Sequence, residues 1–473
     1  MQRNRLFLAL TVCLGFAAAG PVLAAPTHKR SADQALRALI DKQQKQLDQQ
    51  QQDLQMLRNQ LKQLEAEQAQ QQAQASAPPP SPPPSPPPSP PPQPAAPTFV
   101  SAPGVTVALH GWIDATFFNQ NRSFVYGNGQ NAEYPLKGSN GSLSGGDVRN
   151  TRFWLDFSGA KLSGGWSAGG HLEMDFFGGN NGTSAYSQSQ EIPRLRQAYL
   201  VLSNPDSGST VQIGQQWDLL LGNVPISLTH VAFPLGLGAG WLGWRYPGIV
   251  WMQDLNRGST GPHWRLDLGA FEGHWNGPGD NVNYLTAGNA GFRPQLEARL
   301  HDDDGNWSAY GVVHYAKVSL SGVGGTAPTP IESSITSEAA EFGASWKPGS
   351  WLFQGNVYTG KGLASVFGTE AQFGNIQETG GWGQASYFFT PHWSVNAFYA
   401  IGKNNTNDVI TWLGHGSLGY LKNRQAAVSV LYNNGPYGIG LEWMHDVLDY
   451  TNTGLDRNSI SGNQLSLSGI YRF

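Results

Sequence analysis

Short and long connections alternate along residues 104–473, and this alternation limits the possible folds more than any other feature of the sequence. Short polar turns are expected near 160–165, 204–208, 257–262, 302–305, 348–350, 390–392 and 433–436. Longer, Gly-rich connections are expected near 119–148, 178–192, 219–246, 275–291, 320–336, 360–377, 403–420 and 448–461. Transmembrane β-barrels have short turns on one side of the membrane and long loops on the other. Seven turns and eight loops join sixteen strands, so the sequence predicts an all-β fold, a 16-stranded antiparallel transmembrane β-barrel.

The last strand has the side-chain alternation that a barrel wall needs. Leu465, Leu467 and Phe473 fall on one face, whereas Gln464 and Ser466 fall on the other. Because successive side chains of a strand point to opposite faces, one face of the wall would be apolar and the other polar. Only 13% of all residues are charged, against about 25% in an ordinary globular chain. A wall with one lipid-facing side accounts for this low charge.

The N-terminus is predicted to be a secretory signal peptide over residues 1–24. Arg3 and Arg5 precede an apolar segment at 6–19, and small residues follow at the expected cleavage site. The only cysteine of the chain, Cys13, lies within this segment. We therefore expect a secreted protein whose mature form contains neither a disulfide bond nor a reactive thiol.

Residues 31–75 are predicted to form an α-helical coiled coil. Apolar residues repeat every seven positions, at Ile40, Leu47, Leu54 and Leu61. A stripe with this period needs a partner helix, which predicts oligomerisation, with a trimer favoured. The segment is also rich in glutamine, so a frayed polar helix remains an alternative.

Residues 76–103 are predicted to be a Pro-rich linker in front of the barrel domain at 104–473. Fourteen of the twenty residues at 78–97 are proline. Such a tract favours the polyproline II conformation, which would extend about 60 Å at about 3.1 Å per residue. A stiff spacer is therefore expected, with a ligand for a proline-binding module as the alternative.

Ten charged or ionisable side chains are predicted to face the pore. By the alternation within each strand, they are Arg152, Arg194, Arg196, Arg265, Arg293, Arg299, His110, Asp114, Glu173 and Asp175. Pore selectivity depends on the size of the opening and on the charges that line it. The arginines could form a ladder that attracts anions, or they could pair with the carboxylates and stiffen the wall.

The third long connection, at 219–246, differs from the other loops. It contains few charges and is rich in Gly, Pro and Trp, including Pro234, Trp241, Trp244 and Arg245. A compact apolar loop packs inside a barrel more readily than it extends into water. We expect these residues to form a constriction loop, with a latch at a subunit interface as the alternative.

Four segments resemble a known family: Arg149–Phe157, Gly170–Gly179, Arg194–Leu200 and Gln212–Trp217. They resemble successive strands of the DcaP-like trimeric porins of Gram-negative outer membranes, and the N-terminal coiled coil is similar to theirs. The resemblance implies a homotrimer of sixteen-stranded barrels in contact with outer-membrane lipids and lipopolysaccharide. It also implies a third loop folded into each pore and a periplasmic N-terminal arm. Passive diffusion of small hydrophilic solutes, including organic anions such as dicarboxylates, is the implied function.

Two other functions stay open. Trp112 and Trp154 fall on the pore face of their strands, where aromatic rings could stack on sugars, so an oligosaccharide-selective porin is one alternative. Residues 98–473 contain 20 Lys and Arg against 27 Asp and Glu, a net charge of −7 that opposes an anion preference. The other alternative is a tether, in which residues 31–97 contact peptidoglycan or another periplasmic partner.

Two motifs are typical of enzymes but lack their structural context. Residues 165–169 fit the G-x-S-x-G pattern, which marks a nucleophile only at a strand-to-helix turn. Residues 238–243 fit G-x-G-x-x-G, but no helix is expected after them. We therefore predict that the protein is not an enzyme and uses no cofactor and no metal. The pI of 6.3 argues against nucleic acid as a partner.

Overall fold

The computed structural model describes residues 98–102, 104–138, 141–179, 191–257, 261–272, 282–283, 288–289, 293–319 and 331–473. All of them belong to one compact unit that spans 86–473. The predicted signal peptide at 1–24 and coiled coil at 31–75 lie outside the described residues. Within the described part of the chain, no helix is both long and apolar enough to cross a membrane.

Sixteen of the described strands form a closed antiparallel barrel. In chain order the strands are β1 (Thr98–Ala102), β2 (Val105–Gln120), β3 (Leu143–Asp147), β4 (Arg152–Lys161), β5 (Ser167–Asp175), β6 (Arg194–Asn204), β7 (Ser209–Trp217), β8 (Arg245–Asp254), β9 (His263–Phe271), β10 (Val282–Asn283), β11 (Gly288–Asn289), β12 (Gln295–Asp303), β13 (Trp307–Ser319), β14 (Ser334–Trp346), β15 (Trp351–Lys361), β16 (Gln377–Phe388), β17 (Trp393–Asn404), β18 (Tyr420–Asn434), β19 (Tyr437–Tyr450) and β20 (Asn458–Arg472). Strands β2, β4–β9 and β12–β20 each pair with the next, and β20 pairs with β2 to close the ring. The predicted sixteen-stranded antiparallel β-barrel is confirmed.

Four further strands, β1, β3, β10 and β11, are not counted among these sixteen. β1 pairs with the start of β2, although the sequence assigned its residues to the linker at 76–103. β3 and β4 pair with successive halves of β2, so one strand of the wall is interrupted at 148–151. β10 and β11 form a two-stranded hairpin of their own. The interruption, which strand periodicity alone does not reveal, places Asn150 inside the barrel.

The wall has an apolar outer face and a polar inner face. On β20, Leu465 and Leu467 are each 49% exposed, whereas Ser466 and Ser468 are buried. The buried side chains face the interior because they contact the loop that fills it. Tight turns join the strands at one end of the barrel. Gly435, in the turn between β18 and β19, has a φ of 56°, which glycine adopts without strain.

The connection between β7 and β8, residues 218–244, folds into the barrel; we name it the inner loop. Ala239, Trp241 and Leu242 on this loop are almost completely buried. They pack in two apolar clusters against wall residues that include Phe398 and Tyr358. Gly240 has a φ of 134°, and a Cβ there would lie 2.3 Å from the carbonyl oxygen of Gly381. Glycine is therefore required where the loop meets the wall.

Candidate functional site

Hydrogen bonds attach the inner loop to the inner wall along most of its length. Gln384 on β16 both accepts from the amide of Ile226 at 2.7 Å and donates to its carbonyl at 3.0 Å. Gln425 on β18 accepts from the amide of Gly236 at 2.7 Å, and Asn423 donates to the carbonyl of Gly238 at 3.1 Å. These bonds satisfy loop backbone groups that are shielded from water. The loop is therefore held at defined points of the interior.

Glu442 on β19 attaches the inner loop through both of its carboxylate oxygens. One carboxylate oxygen accepts from the hydroxyl of Ser227 at 2.7 Å, and the other lies 2.7 Å from Nδ1 of His230. The side chains of His230 and Glu442 are 1% and 3% exposed. Asn150, in the interrupted strand, donates to the carbonyl of Thr229 at 2.7 Å. Residues 227–230 of the loop are thus attached to one continuous part of the wall, from β19 to the interrupted strand.

The four predicted constriction residues lie in different surroundings. Pro234 is buried, and its carbonyl accepts from the amide of Leu237 in a turn. Trp241 is 1% exposed and packs against the wall. Trp244 is partly buried, and Arg245 is the first residue of β8, not part of the loop itself. Of these four residues, only Trp244 is not buried.

A group of arginines and carboxylates, the arginine cluster, lies on the inner wall at β4, β5, β6 and β8. Its members are Arg152, Arg194, Arg196, Arg245, Glu173 and Asp175. Asp175 binds Arg194 at 2.6 Å and Arg196 at 2.7 Å, and Glu173 binds Arg196 at 2.5 Å. Four cations face two carboxylates, so the cluster has an excess of two positive charges. The structure thus brings together five of the ten predicted pore-lining residues.

Two arginines of the cluster have donors without partners. Arg152 lies 3.8 Å from Glu173 through Nη1 alone. Its Nε and Nη2, and Nη1 of Arg245, are buried and donate to no acceptor in the part of the chain that the structure describes. Arg152 and Arg245 are only 8% and 6% exposed. A buried charged donor without a partner is costly, so a small anion that supplied acceptor oxygens here would be stabilised.

Aromatic rings surround the arginine cluster. The guanidinium of Arg245 lies 4.5 Å from the ring centre of Trp217 and 4.3 Å from that of Trp244. Arg194 lies 5.2 Å from the ring of Phe233 on the inner loop. Cation–π contacts of this kind fix the orientation of the planar guanidinium. The cluster is therefore a pre-organised group of cations between the wall and the inner loop.

A second charged group lies on β9 and β12. Asp267 binds Arg265 at 2.7 Å and Arg299 at 2.9 Å. Arg299 also donates to the carbonyl of Leu221 at 2.8 Å, which holds the start of the inner loop. Arg293, predicted to face the pore, precedes β12 and has an exposed side chain outside this group. Alternation predicts a face only within a strand, and β12 begins at Gln295.

A comparison with protein-family models found no match, and a comparison with curated proteins found none either. Among solved structures, the outer membrane channel DcaP of Acinetobacter baumannii is similar at 18% identity, with a TM-score of 0.60 over 79% of this chain and 99% of that one. OmpF of Salmonella typhi, in complex with daunomycin, is similar at 11% identity, with a TM-score of 0.51 over 80% and 100%.

The chain has the fold of an outer-membrane porin. The resemblance seen in the sequence is thereby confirmed at the level of the fold. Both similar structures are matched over almost their full length, so the barrel of this chain corresponds to a whole barrel and not to a fragment of one. Identities below 20% leave the solute, the assembly and the roles of single residues to be argued from this chain itself.

The remaining predicted pore residues lie on β2. Asp114 is completely buried and bonded to the side chains of Gln130 and Thr116. His110 stacks on Trp154, with ring centres 5.3 Å apart and planes at 9°. Neither residue reaches the arginine cluster through a direct contact described here. Asp114 holds the first long loop against the wall, because Gln130 belongs to that loop.

Burial raises the pKa values of several carboxyl groups on the long loops. The pKa values of Glu133 and Glu370, both on long loops, are raised well above the ordinary range by burial. The same cause raises the pKa of Asp218, whose carboxylate accepts from the amides of Leu221 and Trp244 at the neck of the inner loop. These carboxyl groups therefore contribute less negative charge than their number in the sequence indicates.

Sequence reasoning missed several residues that organise the site. Asn150, Gln384, Gln425 and Glu442 attach the inner loop, and each lies far from it in the sequence. Asn150 lies between β3 and β4, where strand alternation does not apply. Nothing local indicated which loop atom each one would contact.

Proposed function

We propose that the chain is a passive diffusion channel in the outer membrane of a Gram-negative bacterium, for small hydrophilic solutes with a preference for organic anions such as dicarboxylates. The observation that carries this proposal is the arginine cluster, with its excess of two positive charges and the unpartnered donors of Arg152 and Arg245. A dicarboxylate could satisfy donors of both arginines at once. Bidentate pairing of guanidinium with carboxylate is strong and directional.

The inner loop is proposed to be the constriction of this channel. The loop leaves β7 and returns to β8, and its bonds to Gln384 on β16 and Glu442 on β19 lie on the far side of the ring, which supports a position across the lumen. In this position Trp244 would press anions against the arginine cluster. All these contacts are made within one barrel, which favours a constriction over a latch between subunits.

The oligosaccharide alternative is weakened by how its two tryptophans are used. Arg152 lies 4.8 Å from the ring centre of Trp112, and His110 stacks on Trp154. One face of each ring is therefore already covered by a cation or an imidazole. A sugar would have to use the opposite faces.

Bilayer recordings test the anion preference. Wild-type protein and the Arg152→Gln and Arg245→Gln variants are compared under a KCl gradient and in the presence of succinate or maltotriose. We expect each variant to shift the reversal potential towards cation selectivity. We also expect succinate block to weaken at least about tenfold, because a hydrogen bond to a charged group contributes about 1.5–3 kcal/mol. Arg293→Gln, outside the cluster, is the matched control and should behave like wild type.

Two results would contradict the proposal. A barrel that does not conduct ions would remove the channel function altogether. Block by maltotriose but not by succinate, unchanged in the Arg152→Gln and Arg245→Gln variants, would establish the oligosaccharide alternative instead.

The N-terminal region is proposed to act as a periplasmic arm of a homotrimer that contacts outer-membrane lipids and lipopolysaccharide through its barrels. The heptad pattern of 31–75 and the Pro-rich linker support this organisation. Deletion of 31–97 separates two roles. Loss of trimers on native gels would indicate an assembly device, whereas intact conducting trimers that no longer sediment with peptidoglycan would indicate a tether.

A further inference from the structure

Aromatic rings follow one another from the long loops to the arginine cluster. Tyr126, in the connection between β2 and β3, lies 5.8 Å from Phe367 between ring centres, and Phe367 lies 4.4 Å from Trp244. Trp244 in turn lies 6.1 Å from Trp217. Tyr126 is 46% exposed, and the other three residues are partly buried. The series therefore keeps accessible surface between the long loops and the arginine cluster.

A second series of rings begins on the other side of the cluster. Arg152 lies 4.8 Å from the ring centre of Trp112, and Trp112 lies 5.4 Å from Trp154. Trp154 stacks on His110. Along β4, Trp154 lies two positions nearer the short turn at 162–166 than Arg152 does. Aromatic rings therefore flank the arginine cluster both towards the long loops and towards the short turns.

The two rings nearest the surface of the long loops are held by an unusual backbone. Tyr126 has a φ of 63° and Phe367 a φ of 64°, in the left-handed region that bulky side chains rarely adopt. Tyr126 also meets Tyr134 nearly edge to face, with ring centres 6.3 Å apart. Strained conformations persist only where the surrounding structure enforces them, and they are concentrated at ligand sites. The strain at both residues indicates that the fold specifies where these two rings lie.

We infer that aromatic carboxylates are the preferred solutes among the organic anions of the proposed channel, and this inference rests on that proposed function. The carboxylate would accept from the unpartnered donors of Arg152 and Arg245. Each of these arginines already lies against a tryptophan, Trp112 at 4.8 Å and Trp244 at 4.3 Å. A ring attached directly to the bound carboxylate would therefore lie beside the aromatic series, which a small aliphatic anion would leave unused.

The orientation of the rings favours an aromatic solute over a sugar. Aromatic pairs prefer offset or edge-to-face contacts. The planes of Trp112 and Trp154 already meet at 74°, and those of Trp217 and Trp244 at 88°. Arg245 lies over both Trp217 and Trp244, so one face of each ring is covered. A sugar stacks on an open face, whereas an aromatic solute can also use the edges that remain.

Current block of the full-length protein in planar bilayers at pH 7 tests this inference. Benzoate is compared with cyclohexanecarboxylate, which has the same charge and a similar size but no aromatic ring. We expect benzoate to block wild type at about a two- to tenfold lower concentration, the range that one aromatic contact provides. Phe367→Leu should reduce this ratio, because leucine keeps an apolar side chain without a ring. Phe117→Leu is the matched control and should keep the ratio, because Phe117 is 68% exposed on the outer face of β2.

Succinate block of the same channels separates this inference from the proposed function. Equal block of wild type by benzoate and cyclohexanecarboxylate would overturn the inference, while succinate block that weakens in Arg152→Gln would leave the anion channel intact. Absence of block by all three anions would remove the anion preference itself. If Phe367→Leu gives no heat-stable barrel on gels, Tyr126→Leu decides, because Tyr126 is nearly half exposed. An unchanged ratio in whichever of the two variants folds would also overturn the inference.

Discussion

Glu442→Ala should release the inner loop from the wall. The carboxylate accepts from Ser227 at 2.7 Å and lies 2.7 Å from Nδ1 of His230, and both partners belong to the loop. Alanine leaves two buried donors without acceptors, at about 1–3 kcal/mol each. The attached state would lose about 2–6 kcal/mol. At about 1.4 kcal/mol per factor of ten, the detached population should rise between about 30-fold and about 10,000-fold.

Single-channel recording measures this population as the time spent in a state of higher conductance. Bonds from Gln384, Gln425 and Asn423 to the loop remain in the variant. We therefore expect brief openings and not a permanently wide pore. Glu442→Gln is the matched comparison, because its amide oxygen can still accept one of the two bonds, and its openings should be of intermediate frequency.

A double-mutant cycle tests whether Glu442 holds the inner loop against the wall. His230→Leu removes one of the two donors that Glu442→Ala leaves unpaired and keeps the amide of residue 230 bonded to Ser227, so adding it to Glu442→Ala should reduce the opening frequency again. Openings in Glu442→Ala that are no more frequent than in wild type, in barrels of unchanged thermal stability, would show that this attachment does not hold the loop.

Three further outcomes are expected. Gly240→Ala should lower the yield of refolded, heat-stable barrel on gels, because the new Cβ would lie 2.3 Å from a wall carbonyl oxygen. Gly414→Ala is the control, since a Cβ at this position meets no atom within 4 Å. It should show only the mild effect of a positive φ. Arg196→Met should cost about 3–5 kcal/mol, measured as a fall in the urea midpoint, because buried Glu173 loses its 2.5 Å partner and Asp175 keeps only Arg194. Glu370→Gln should make stability less dependent on pH. Burial raises the pKa of Glu370 in the folded state. The wild-type protein therefore loses stability as the pH rises above about 4.3, the pKa of this group in the unfolded chain. Melting temperatures of the two proteins that change equally from pH 5 to 9 would contradict this.

The number of strands was predictable because connection lengths and side-chain alternation are local properties. Each predicted turn and loop falls between two barrel strands. The faces of β20 were predictable for the same reason, since Leu465 and Ser466 differ by one position. The interruption at 148–151 was not predictable, because β3 lies within the connection expected at 119–148 and only its pairing with β2 makes it part of the wall. Contacts with β2, distant in sequence, are what divide β3 from β4.

The candidate site was predictable in its residue types but not in its grouping. Arg152, Arg194 and Arg196 lie together, as an arginine ladder requires, whereas Arg293 lies outside it. The attachment of Ser227 to Glu442 joins residues more than 200 positions apart. Contacts at this separation depend on closure of the whole barrel, and one sequence contains no signal that pairs them.

The net charge of −7 does not oppose an anion preference when the positions of the charged groups are taken into account. Screening limits the reach of a charge in solution to about 8–10 Å, so a solute in the lumen responds to nearby groups and not to the sum over 98–473. Burial raises the pKa values of Glu133, Glu370 and Asp218 well above their usual range. The excess positive charge of the arginine cluster lies beside aromatic rings. Electrostatic interactions are stronger there than in bulk water. Selectivity should therefore follow the arginine cluster: removing distant surface carboxylates should leave the reversal potential unchanged, and removing either unpartnered arginine should move it.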